Sequence, residues 1–231
     1  MACAQWSTRW LRELGLALAL EFAAGLLALC LFVELTEVVM SQESAQLDTA
    51  VLTWLQRFSS PTLDTLARAV SAMGSEGLAV ILVLLLALLG WQRRWRAIIA
   101  LLLATGGAQL LNDLVKTHFH RTRPAPVTTF LPGQAFSFPS GHAMVAAAFY
   151  LFLTYLGWRL LHGWQRTVCA VSVLLLVLLI GLARLYLGVH YLTDVFAGYL
   201  AGFLWTDSLI IGGSLLARKY PAATAAHPAP R

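Results

Sequence analysis

Eight residues in three clusters have side chains or backbone that could do chemistry together. Arg184, His190 and Asp194 fall in one stretch, Arg184-Leu-Tyr-Leu-Gly-Val-His190-Tyr-Leu-Thr-Asp194. Pro139-Ser140-Gly141-His142 is the second cluster. Lys116 and Arg123, with six residues between them and Pro124 following, are the third. A carboxylate four residues after an imidazole stacks on the same face of a helix. It can hold the ring, fix its tautomer and stabilise its charged form. The other ring nitrogen is then left as a nucleophile or base. Ser140-Gly141 stands where an apolar run begins, so its N–H groups offer an anion site and glycine lets the backbone come close. Arg184 adds a planar fork suited to phosphate or carboxylate. Three cations around a helix start suit a phosphoryl group, whose transfer needs charge stabilisation. Two histidines divide the labour, one attacking and one protonating the leaving oxygen.

Each residue also has a plainer reading. Lys116 and Arg123 read as snorkelling residues at a membrane interface, and Ser140 as a helix cap. His142 and His190 read as structural or interfacial histidines, and Arg184 with Asp194 as an ion pair between span ends. What favours chemistry is that all these plain explanations would have to coincide on one side of the membrane.

The elements that must position the clusters are transmembrane helices. The chain has 231 residues, 59% of them hydrophobic and 12% charged, against about 25% charged in soluble domains. Apolar runs place six spans at about 14–39, 78–90, 97–115, 140–161, 168–183 and 191–216. The first is too long for a signal-peptide core and is read as uncleaved. Glu21 within it reads as an interfacial or protonated residue. Trp6, Arg9, Trp10 and Arg12 read as an interfacial anchor. Residues 41–75 read as two short amphipathic helices on the outer face, marked by Leu47, Val51, Leu52, Trp54, Leu55 and Phe58, then by Leu63, Leu66, Ala67 and Val70. Residues 116–140 form a polar loop with four prolines. The expectation is an all-α polytopic protein, one six-span domain over 1–220, with a disordered tail over 221–231.

The side on which the clusters fall follows from the basic residues. Both termini share a side with the two basic turns, which together hold Arg9, Arg12, Arg93, Arg94, Arg96, Arg159, Arg166, Arg218, Lys219 and Arg231. The other side holds Arg57, Arg68, Lys116, Arg121, Arg123 and Arg184. Ten against six puts the termini in the cytoplasm and all three clusters on the outer, extracytoplasmic face. The net charge of +5 is thus mostly topology, and nucleic acid is not expected as a partner. Cys3, Cys30 and Cys169 show neither a disulfide framework nor metal spacing.

In order and spacing, Lys116-(six)-Arg123-Pro124, Pro139-Ser140-Gly141-His142 and Arg184-(five)-His190-(three)-Asp194 resemble the three-part signature of the type 2 phosphatidic acid phosphatase family. The resemblance covers about 45–212. It departs where Ala183 stands in place of the family's usual serine before the third-cluster arginine. The resemblance implies that His190 attacks phosphorus to form a phosphohistidine, with Asp194 orienting it. His142 would protonate the leaving oxygen and then activate water. Lys116, Arg123, Ser140, Gly141 and Arg184 would hold the phosphate oxygens, with no metal or other cofactor. His118, His120 and Arg121 match no position of the signature and read as loop residues, Arg121 as an outer phosphate contact. The implied activity is hydrolysis of a membrane lipid phosphate in the inner, plasma membrane. Candidates are undecaprenyl diphosphate, phosphatidylglycerophosphate and phosphatidic acid, with lipid A dephosphorylation or lipid phosphotransfer as alternatives. An anion transporter, or a binding protein without catalysis, is the competing class.

Overall fold

The computed structural model describes residues 2–124, 136–158 and 160–219. The expected tail over 221–231, the centre of the expected loop at 125–135, and the side chains of the expected anchor at Trp6, Arg9, Trp10 and Arg12 lie outside the described residues. Among the described residues eight helices run in the order α1 Ala2–Met40, α2 Ala45–Gln56, α3 Pro61–Ala72, α4 Glu76–Trp91, α5 Trp95–Phe119, α6 Gly141–Gly157, α7 Trp164–Tyr186 and α8 Leu192–Lys219. Among the described residues the one extended pairing is an isolated antiparallel bridge between Thr122 and Phe136.

Among the described residues five stretches are long and apolar enough to cross a membrane: Ala19–Met40, Pro61–Trp91, Trp95–Phe119, Trp164–Tyr186 and Leu192–Leu216. The remaining expected span, the fourth, is α6, which has 17 residues and rises only about 26 Å. Its place in the bundle explains how so short a helix fits. It is the central helix, packed by α5, α7 and α8, and its residues from Ala143 to Tyr150 are all buried. The expected second span also begins earlier. Its apolar stretch takes in α3, which lies along α7, and Tyr150 Oη donates to the Met73 carbonyl just past its end at 2.7 Å.

Lipid is as apolar as leucine, so helices in a bilayer associate through close packing and interhelical hydrogen bonds. Here α8 brings Gly198 and Gly202 against α6. A Cβ on Gly198 would sit 2.7 Å from the Ser140 carbonyl and 2.9 Å from Ala143 Cβ; one on Gly202 would meet the Met144 carbonyl. Thr206 Oγ1 donates to the Ala148 carbonyl at 3.2 Å, and Trp205 Nε1 to the Leu103 carbonyl of α5 at 3.0 Å. The outward faces carry exposed Leu174, Leu175, Leu178 and Leu182 on α7, and Ile99, Leu103, Leu110 and Leu114 on α5. This is the exposure expected of a lipid-facing wall.

The small-residue seam between α6 and α8 aligns the second cluster with the third. Gly198→Val or Gly202→Leu should force the two helices apart. We expect each to cost about 1–3 kcal/mol, read as a lower unfolding temperature in detergent, and to lower activity more than an equally bulky change on the lipid face, such as Leu178→Phe.

Candidate active site

His190 lies in the turn from α7 to α8, before the first residue of α8. The turn depends on Gly188, whose φ of +68° is left-handed. His190 is 1% exposed. Its Nδ1 lies 2.9 Å from the Ser137 carbonyl. A carbonyl only accepts, so Nδ1 carries the proton and Nε2 keeps its lone pair. Arg123 Nη1 lies 3.4 Å from Nε2 and donates to the Val189 carbonyl at 3.1 Å. Burial, with Arg123 and Arg184 near, pushes the imidazole down to about 4 against the opposing pull of Asp194. The ring is therefore neutral at physiological pH, from an ordinary value near 6.5.

The imidazole–carboxylate pair expected on one helical face is not hydrogen-bonded. Asp194 Oδ2 stands 3.7 Å from Nδ1, beyond hydrogen-bond length, because His190 precedes the helix and the i,i+4 register does not reach it. Asp194 is fully buried and has other partners. Its Oδ2 accepts from the Tyr191 amide at 2.8 Å, and its Oδ1 from Arg121 Nη1 at 2.6 Å. Arg121 Nη2 donates to Asp48 Oδ2 at 2.7 Å, and Nη1 also reaches Thr193 Oγ1 at 2.8 Å. Asp48 in turn accepts from the Thr193 amide at 3.1 Å and hydroxyl at 2.7 Å. The Tyr191 ring covers the guanidinium at 4.4 Å. Burial disfavours the charge on Arg121, but Asp194 and Asp48 outweigh it and raise its pKa above the ordinary range. Arg121 is thus no outer phosphate contact: both its terminal nitrogens are committed to carboxylates.

The loop after α5 is shaped so that its two ends meet. His120 takes a left-handed conformation at the end of α5. The Ser137 amide donates to the Arg121 carbonyl at 2.8 Å and the Ser137 hydroxyl to the Thr122 carbonyl at 3.1 Å. Phe138, fully buried, packs edge-on to Phe119 and against Phe32. These contacts fix the Ser137 carbonyl that holds His190.

The phosphate-holding candidates converge. Lys116, Arg123, Gly141, His142, Arg184 and His190 line one cavity of about 450 Å³. Ser140 and Asp194 stand behind its wall, where the Ser140 amide donates to the Asp194 carbonyl at 2.9 Å. The Ser140 hydroxyl makes no cap bond; it is buried without a partner, as is Arg184 Nε. Arg184 does not pair with Asp194, since its Nη1 donates to Ser71 Oγ at 2.9 Å. Gly141 is close-packed, with a Cβ there falling 3.0 Å from Asn112 Nδ2. Gly74, in the turn before α4, leaves only 3.4 Å between its would-be Cβ and the His142 ring. Below this polar end the cavity continues between α4 and α5 past Leu78, Leu82 and Leu102. The cavity offers a neutral imidazole nitrogen, a second imidazole and three cations to one anionic group attached to an apolar tail, and the unpartnered Ser140 hydroxyl is buried next to it.

Sequence reasoning passed over Asp48, Ser71, Thr193 and the Ser137 carbonyl. Asp48 had a visible signal, since it shares a helical face with Val51, Leu52 and Leu55, where a carboxylate needs a buried partner. The Ser137 contact is made by backbone, which residue type does not announce.

Two outcomes follow from this geometry. Arg121→Ala leaves two buried carboxylates unpaired and should cost about 3–5 kcal/mol in detergent-solubilised protein, with Asp48→Asn in the same chain recovering part of the loss. In ¹⁵N-histidine spectra, His190 should remain the neutral Nδ1-protonated tautomer down to about pH 4, and an ordinary titration near 6.5 would contradict the burial argument.

Comparison with known proteins agrees with the geometry. The PAP2 superfamily matches residues 97–211. The chain is 30% identical to phosphatidylglycerophosphatase B of Bacillus subtilis (strain 168) over 175 residues, covering 73% of this chain and 82% of that protein. The crystal structure of the transmembrane PAP2-type phosphatidylglycerolphosphate phosphatase from Bacillus subtilis superposes with a TM-score of 0.74 at 26% identity, over 87% of this chain and 98% of the other. That of Aquifex aeolicus LpxE gives a TM-score of 0.52 at 26% identity, over 71% and 94%. Cavity, helical bundle and relatives agree on a multi-pass membrane phosphatase, and this chain belongs to the PAP2 superfamily.

Proposed function

We propose that the protein removes the terminal phosphate from a glycerol-based membrane lipid, with phosphatidylglycerophosphate as the best-fitting substrate. The observation that carries this is the cavity itself. Its polar end gathers His190, His142 and three cations, and its other end opens along apolar side chains of α4 and α5. Similarity to the Bacillus subtilis phosphatidylglycerophosphatase favours this headgroup over the others considered.

In this reading Lys116, Arg123, Arg184, the Ser140 hydroxyl and the Gly141 amide hold the phosphate oxygens. The unpartnered Ser140 hydroxyl and Arg184 Nε find acceptors there. His190 Nε2 attacks phosphorus as the bond to the leaving oxygen breaks, and His142 gives that oxygen its proton. A phosphohistidine remains. His142, now neutral, takes a proton from water, whose oxygen attacks phosphorus and breaks the P–N bond, and inorganic phosphate leaves. As phosphorus bonds to Nε2 the imidazole becomes cationic, and Asp194, 3.7 Å away, stabilises that charge without a direct hydrogen bond. The cations supply charge compensation within the chain itself. The ten-to-six division of Lys and Arg supports cytoplasmic termini and a site on the outer face of the plasma membrane.

His190→Ala should abolish phosphate release from phosphatidylglycerophosphate, by at least about 10³-fold, while the variant still inserts and unfolds cooperatively. His142→Ala should slow it by about 10²–10⁴-fold. In that variant, phosphoenzyme formation should recover most with a substrate whose leaving group needs no proton, such as p-nitrophenyl phosphate. Steady-state phosphate release in detergent measures the loss, and the pre-steady-state burst of nitrophenolate measures the recovery. Full activity of His190→Ala would sink the mechanism.

A further inference from the structure

The α5 helix carries a row of polar side chains that the mechanism does not use. Thr105, Gln109, Asn112 and Asp113 recur at helical spacing on the face that leads to Lys116. Every one of them lines the cavity. Polar side chains within a membrane span are costly and face protein, water or ligand. Thr105 is satisfied by the Leu101 carbonyl at 3.0 Å. The other three are not closed off. Gln109 Nε2 donates to both Asp113 oxygens at 3.0 Å, and Asn112 Nδ2 donates to Asp113 Oδ1 at 3.4 Å, which still leaves the carboxylate a lone pair to spare. Asn112 is 1% exposed, and its Oδ1 is buried without a partner.

Position along the helix says what these groups would meet. Asp113 lies three residues before Lys116, about 5 Å down the axis, and Gln109 about 10 Å down. With phosphorus at Lys116 and His190, Asp113 and Asn112 stand level with the first carbons of the leaving group. Both offer acceptors at that level: one anionic and one a neutral amide oxygen. Acceptors take hydroxyl donors. A carboxylate there repels a second phosphate.

We propose that Asn112 and Asp113, braced by Gln109, form a specificity subsite that accepts a hydrogen bond from a free hydroxyl on the leaving group and disfavours a diphosphate. This rests on the phosphatase reading above and narrows its substrate class to phosphomonoesters of a polyol, with the hydroxyl on the carbon next to the ester carbon.

The test uses the full-length protein in detergent and three substrates: phosphatidylglycerophosphate, its analogue built on propane-1,3-diol, which lacks only the neighbouring hydroxyl, and a prenyl diphosphate. Wild type should favour the glycerol-linked substrate over the propanediol analogue by about tenfold or more in kcat/KM. Asp113→Leu and Asn112→Leu should each shrink that ratio towards one. Asp113→Asn, which keeps shape and removes charge, should raise prenyl diphosphate turnover relative to the glycerol-linked substrate. Equal wild-type turnover of the two monoesters overturns the proposal and needs no variant to fold. So does a ratio unchanged in Asp113→Leu. Phosphate release from both monoesters without discrimination leaves the phosphatase reading intact, whereas release from none of the three, nor from phosphatidic acid, contradicts that reading instead.

Discussion

Two buried carboxylates share one guanidinium, and the geometry of the site depends on that sharing. Asp48 and Asp194 are almost fully buried, and Arg121 bridges them, at 2.7 Å from one and 2.6 Å from the other. Asp48 belongs to α2, Arg121 to the loop after α5, and Asp194 to the first turn of α8. One ionic cluster therefore ties the short helix α2 to the loop and to the helix that follows His190. It also decides what Asp194 does. Its oxygens are taken by Arg121 and the Tyr191 amide, so the imidazole is held instead by the Ser137 carbonyl. That carbonyl is itself fixed because Ser137 pairs with the Arg121 and Thr122 carbonyls. Charge pairing at one end of the loop becomes tautomer selection at the other.

The cavity wall has the opposite character. Lys116, Arg123 and Arg184 converge, and Arg184 is met by a neutral hydroxyl from Ser71 rather than by a carboxylate. Such an array is held against its own repulsion by the packing behind it: the α6–α8 seam of Gly198 and Gly202 and the docking of Ser140 on the Asp194 carbonyl. In the proposed mechanism a phosphoryl group brings the missing negative charge, and more of it accumulates as the P–O bond breaks. Preorganised cations that cost no reorganisation at that moment are how such a site lowers a barrier. Two carboxylates that might have neutralised the array, Asp48 and Asp194, are kept behind the wall, spent on Arg121.

How much of this could be read in the residues depends on which atoms do the work. Six of the eight candidates line one cavity, because motif spacing at the ends of apolar runs is a strong constraint on where side chains can go. Ser140 and Asp194 were found as residues, but their surroundings were not foreseen. Helical periodicity points to a direct bond between His190 and Asp194, which fails because the helix begins two residues after the histidine. A cation in a motif loop invites a place for Arg121 at the phosphate; only the fold shows its two carboxylates. The shortness of α6 and the inclusion of α3 in the second apolar stretch depend on which helix is central. Apolar runs alone cannot report that. The competing transport reading gives way because the cavity, the helical bundle and the PAP2 relatives agree on phosphoryl chemistry.

The central claim is that the Ser137 carbonyl accepts a hydrogen bond from Nδ1–H and leaves Nε2 of His190 as the nucleophile. Trapping the phosphoenzyme by rapid quench at alkaline pH, digesting it and identifying the modified atom tests this directly. The account predicts phosphate on His190 and on Nε2, as the 3-phosphohistidine isomer, stable to base and labile to acid. Phosphate on Nδ1 of His190, on His142 or on the Ser140 hydroxyl would contradict it.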